Sequence, residues 1–186
     1  MEIQFQSALE QLRASNHSRD DGAVSEVLKG LELTTVEAGK WPADFFDELK
    51  ELLKDESFLS LKSSWNLLYF INNNWEQLSI DDRKQFRQVL ALAFDKYGDW
   101  MGAFITSEIL GERYPDETTF VILADLGKTA RLPARAAVPH GLETLVKATQ
   151  KDSVRGLAVN RLQELQKSDS EAVRQEALIS LKKLGR

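Results

Sequence analysis

Apolar residues recur three and four apart along nearly the whole chain, and this restricts the fold more than any other feature. Ile3, Phe5, Ala8, Leu9 and Leu12 form a first stripe. Ala23, Val24, Val27, Leu28 and Leu31 form a second, with Asp20 or Asp21 placed to cap its start. Such spacing collects side chains on one face of an α-helix, which turns every 3.6 residues or so. Pro42 suits the first turn of a third helix with Phe45, Phe46, Leu49, Leu52 and Leu53 on its inner face. A fourth, near Ser57–Asn73, is apolar around most of its circumference and is expected to be central. Ser79 and Asp82 have capping-box spacing for a fifth, which Gly98-Asp99 ends. A sixth runs from Trp100 to Arg113, stopped by Tyr114-Pro115, and a seventh covers Asp116–Leu126. No Asn-Gly or Asp-Gly turn joins two alternating apolar runs, so strands have no local support. The expected fold is all-α, about nine or ten helices in a single domain of 186 residues.

The last third contains an internal repeat. Val154-Arg155, Ala158, Leu162 and Leu165 recur as Val173-Arg174, Ala177, Leu181 and Leu184, each displaced by 19 residues. A weaker copy is Ala134-Arg135, Val138, Leu142 and Leu145. Pro139 lies inside that copy and is expected in or near a first helical turn, since an interior proline removes a hydrogen bond. Ser168 and Glu171 have the spacing of a second capping box.

Asp152 through Leu165 resembles a HEAT-type repeat helix, and Asp169 through Leu184 resembles another; the resemblance covers about residues 134–184. It implies a right-handed stack of antiparallel helix pairs. It also implies structural roles for Asp152, Arg155 and Arg174, whose counterparts bridge neighbouring turns, beside the packing residues Ala158, Leu162, Leu165, Ala177, Leu181 and Leu184. Proteins of that kind mostly bind other macromolecules, and a helical stack offers an extended surface for doing so.

Charge and rare residue types narrow function further. Residues 1–60 hold 13 acids and 6 bases, residues 61–127 hold 10 and 6, and residues 128–186 hold 6 and 12. An acidic part, 1–127, therefore precedes a basic, repeat-bearing part, 128–186. Without cysteine there is no disulfide, thiolate nucleophile or Cys-containing metal site. Two histidines leave little material for a histidine metal site or relay: His17 reads as a solvated loop residue and His140, between Pro139 and Gly141, as a turn or helix-start residue. No Gly-rich phosphate loop and no His-Glu-x-x-His occurs. No metal, cofactor or catalytic residue is expected. Val89–Phe94 and Phe120–Ala124 are the longest apolar runs, well short of the ~20 residues of a spanning helix. The expectation is a soluble, cytoplasmic protein.

Two acidic groups compete as candidate sites. Asp44, Asp47, Glu48 and Glu51 share one helical face, but Lys50 and Lys54 interleave with them, as on a solvated surface. Asp95, Asp99, Glu108, Glu112, Asp116 and Glu117 are joined by Trp100 and Tyr114. Like charges four apart on a helix repel, so local stability does not explain them. Acids beside aromatic anchors are characteristic of interfaces. The partner expected is a protein with a basic face. The sharpest form is an immunity-type inhibitor covering the basic active site of a cognate toxin domain, for instance a nuclease, where complementary charge speeds association. A general scaffold or adaptor shares every one of these features. A HEAT-like nucleic-acid-binding protein or DNA glycosylase would use Lys128, Arg131, Arg135, Lys147, Lys151, Arg155 and Arg161, but no aromatic follows Phe120 for base stacking.

Overall fold

The computed structural model describes residues 2–97 and 100–186, the Pro133 side chain excepted. Among these residues there are eleven α-helices, one 3-10 turn and no strand. The chain forms two compact units, Met1–Gly98 and Asp99–Arg186. No helix of the described residues is long and apolar enough to cross a membrane.

The first unit holds α1 (Glu2–Ser18), α2 (Asp21–Ala38), α3 (Phe45–Lys54), α4 (Glu56–Leu59), α5 (Asn66–Asn73), the 3-10 turn Trp75–Gln77 and α6 (Ile80–Ala93). Asp20 caps α2 by accepting from the Ala23 amide at 3.1 Å, and Gly39 ends it in the left-handed region, φ 69°. The Ser79–Asp82 capping box starts α6. Helix α1 packs on α2 and α3, α2 on α5, and α3 on α6. Their apolar stripes meet around aromatic rings: Trp41 stacks on Phe70 at 5.4 Å, and Phe45 meets Phe5 edge-on at 4.8 Å. The Trp41 indole donates to Thr35 at 3.0 Å, so a buried polar atom is satisfied inside the core. On the acidic face of α3, Asp47 pairs with Lys50, Glu48 with Arg13 and Glu51 with Lys54.

The long central helix expected over Ser57–Asn73 is broken into α4 and α5, which carries the count past the expected nine or ten. The residues between them are rich in serine. Ser60 Oγ donates to the Ser57 carbonyl at 2.6 Å and Ser64 Oγ to the Leu59 carbonyl at 3.2 Å. The Asp21 carboxylate accepts from both the amide and the hydroxyl of Ser63 at 3.1 Å. Side chains thus offer the backbone alternatives to the helical ladder, and the apolar pattern alone does not register that competition.

The second unit holds α7 (Trp100–Arg113), α8 (Glu117–Thr129), α9 (Leu132–Ala148), α10 (Asp152–Leu165) and α11 (Glu171–Lys183). Helix α9 is its hub, touching all four others. The repeated apolar positions point inward: Ala134, Val138, Leu142 and Leu145, then Val154, Ala158, Leu162 and Leu165, then Val173, Ala177 and Leu181 are buried, with Leu184 half-buried. The repeated arginines make equivalent bonds. Arg155 donates to the Thr149 carbonyl at 2.9 Å and Arg174 to the Ser168 carbonyl at 2.7 Å, each reaching six residues back. Arg155 also pairs with the exposed Asp152 at 2.5 Å. Ser170, rather than Ser168, caps α11.

Pro139 departs from expectation. It stands in the interior of α9, and the helix continues through it. An interior proline costs roughly 3 kcal/mol. Burying one Leu or Val side chain returns about 1.5–3 kcal/mol, and Val138, Leu142 and Leu145 are all fully buried. Packing on every side outweighs the one broken hydrogen bond.

The change from acidic to basic sequence near residue 127 falls inside α8. Counted by unit, the first has 17 acids against 11 bases, net −6, and the second 12 against 13, net +1.

Candidate functional site

The site is built on the crossing of α7 and α9. On α7, Ala103, Ser107 and Gly111 recur every fourth residue and are buried. Helix α9 answers with Ala137 and Gly141. A Cβ placed on Gly111 would lie 2.5 Å from the Gly141 carbonyl oxygen and 2.8 Å from the Leu145 amide nitrogen. One on Gly141 would lie 2.9 Å from both the Cβ and the carbonyl of Ser107. The backbones touch because both positions lack a side chain, an approach only glycine permits. Ser107 Oγ donates across the crossing to the Ala137 carbonyl at 2.9 Å.

This close approach brings α9 side chains onto the next ridge of α7, which carries Trp100, Phe104, Glu108 and Glu112 at intervals of four. His140 lies flat on Phe104, with ring centroids 3.8 Å apart and planes 9° apart. Phe104 meets Trp100 edge-to-face at 5.1 Å. Trp100 is 50% exposed although Met101 and Phe104 beside it are half-buried. Glu108 Oε2 faces His140 Nε2 at 3.8 Å, too far for a hydrogen bond, and that nitrogen is buried without a hydrogen-bond partner among the described residues.

On the other side of the imidazole lies Glu143, whose side chain is 3% exposed. Lys147 Nζ donates to it at 2.5 Å, Lys183 of α11 approaches to 3.5 Å, and His140 Nδ1 stands 3.8 Å away. Burial by itself pushes the Glu143 carboxyl up. The Lys147 hydrogen bond and the charges of Lys183, Lys147 and His140 outweigh burial and hold it below the ordinary value of 4.5. Glu143 is therefore a buried anion neutralised by two lysines, and it ties α11 to α9.

The residues of the acidic group expected from sequence fall on several elements. Trp100, Glu108 and Glu112 share the α7 ridge. Asp116 caps α8, accepting from the Thr119 amide at 3.0 Å, and Glu117 is exposed in that helix's first turn. Tyr114 is half-buried in the connection between α7 and α8. Asp95 belongs to the first unit, just beyond α6, and Asp99 lies outside the described residues. His140 is a correction: it is neither a turn nor a helix-start residue but stands mid-way along α9. Glu143 and Phe104 were missed altogether. The spacing His140, Glu143, Lys147 was a readable sign of one crowded helical face.

Among the described residues, no group of three or more His, Asp or Glu side chains is placed to hold a metal ion. The first unit has an open groove of about 440 Å³ between α1 and α2, floored by Ala8, Ala23, Val27 and Gly30. No protein-family model matches this chain, and comparison with curated proteins and with solved structures gives no match either.

Proposed function

We propose that this chain is a non-catalytic protein-binding module, built as a HEAT-like stack of antiparallel helix pairs and engaging its partner through the outer ridge of α7. The observation that carries the reading is the half-exposed Trp100, braced on Phe104 and followed along the ridge by Glu108 and Glu112. A braced aromatic side chain at the surface loses little conformational freedom on binding, which is why Trp is frequent among interface hot spots. Neither Glu108 nor Glu112 pairs with a lysine or arginine among the described residues. They favour a partner with a basic face.

The sharpest form of the reading is an immunity-type inhibitor that covers the basic active site of a cognate toxin domain, such as a nuclease. A scaffold with several partners is the broader form. Nucleic acid is less well served. Arg155 and Arg174 are engaged with loop carbonyls and Lys147 with Glu143, so three cations of the basic segment are already occupied.

Affinity capture from the native host, with the wild type beside Trp100→Ala and the double reversal Glu108→Lys/Glu112→Lys, tests the reading. Loss of one basic protein partner from both variants supports it. An undiminished partner sinks it for this surface, and recovery of nucleic acid alone sinks it entirely.

A further inference from the structure

Three features of the second unit specify more about the partner. The ridge runs from an exposed indole at Trp100 over Phe104 to a carboxylate at Glu108. Two helical turns separate the ends, about 12 Å of rise. The second carboxylate of the cluster, Glu143, is buried and already answered by Lys147 and Lys183. Glu108 differs: its side chain is 35% exposed, and its ion-pair neighbour among the described residues is His140 at 3.8 Å, beyond hydrogen-bonding reach. An aromatic step ending in an accessible, unbonded carboxylate matches a side chain that is apolar along its stem and cationic and planar at its tip.

We infer that the α7 ridge receives an arginine side chain from the partner protein, its backbone beside Trp100, its stem along Phe104 and its guanidinium on Glu108; this rests on the binding reading above. Arginine fits better than lysine because its planar fork stacks on aromatic faces and meets a carboxylate through two parallel hydrogen bonds. Lysine offers a compact, strongly hydrated point charge.

The test uses the full chain and two synthetic peptides, acetyl-Gly-Arg-Gly-amide and its citrulline counterpart. Citrulline keeps shape and stem and removes the charge. The readout is the Trp100 indole N–H signal in NMR titration, assigned by its disappearance in Trp100→Ala. The arginine peptide is expected to shift this signal saturably, and the citrulline peptide to bind at least about tenfold more weakly, as for loss of a charged hydrogen bond. Glu108→Gln is expected to erase the difference, and Glu112→Gln, one turn further along, to keep it. Thermal melts of both variants check folding. Equal response to both peptides, no response at Trp100, or a discrimination that survives Glu108→Gln each overturns the inference. If Trp100→Ala loses the captured partner while arginine selectivity is missing, the binding reading stands and only this inference falls. If the variant keeps the partner, both fall.

Discussion

The imidazole of His140 and the ring of Phe104 lie in parallel contact across two helices, 36 residues apart in sequence, with centroids separated by 3.8 Å. The pair links the buried charge cluster at Glu143 to the exposed end of the ridge at Trp100. Aromatic pairs contribute about 0.5–1.5 kcal/mol beyond their area burial. A double-mutant cycle with Phe104→Leu and His140→Leu, measured by urea unfolding, should return a coupling of about 1 kcal/mol. Simple additivity would mean the rings are only neighbours.

The glycines predict opposite signs for one chemical change. Gly111→Ala puts a methyl group into the backbone of α9, which cannot move aside, and should destabilise the second unit by roughly 2–4 kcal/mol. Gly156→Ala, on the exposed face of α10 with nothing within 4 Å of the added carbon, should stabilise by about 0.5–1 kcal/mol. Denaturant midpoints of the two variants decide this; shifts in the same direction would contradict the crossing.

Glu143 makes a pH prediction. Its folded value is held below 4.5, so its stabilising contribution is complete above about pH 4.5 and is lost as pH falls through the lowered value. Glu143→Gln lacks that titration. The stability gap between wild type and variant should be largest near neutral pH, about 1–2 kcal/mol, and should close in acid. A gap that stays constant down to about pH 3 would refute the linkage.

Trp100→Ala should leave the melting temperature within a few degrees, because half of that side chain is already in water. Phe86→Ala, a ring with no exposure in the first unit, should cost roughly 3–5 kcal/mol. If Trp100→Ala proved comparably destabilising, the indole would be a core residue and the ridge would lose its anchor.

Ser79→Ala removes a hydroxyl that accepts from the Asp82 amide at 3.1 Å. It should cost about 1 kcal/mol. Aspartate at the same position, another good cap, should restore most of that in thermal melts.

Local pattern was the legible part of this chain. Helices whose ends carry a cap or a breaker, α2, α6 and α7, start or stop within a few residues of where those signals place them. The crossing was illegible because Gly111 and Gly141 are unremarkable singly and acquire meaning only when the 29 residues between them bring them together. His140 was misread because Pro139 and Gly141 are the residues that usually mark turns. Here one is held in a helix by packing and the other is needed for contact. For the site, the sequence named Trp100 and Glu108 as a pairing of aromatic and acid, but not the histidine and the second aromatic ring that join them.

The Gly111–Gly141 crossing also bears on the order in which the second unit assembles. Helices α10 and α11 carry repeats 19 residues apart and find each other as chain neighbours. The backbone contact between α7 and α9 forms only when α8 has been looped back. Closing such a loop is an entropic toll that grows slowly with length and precedes any gain from the contact. Helix α11 also reaches α9 across an intervening helix, with Glu143 and Lys183 40 residues apart, so α7 and α11 both bear this closure cost before their contacts with the hub helix form.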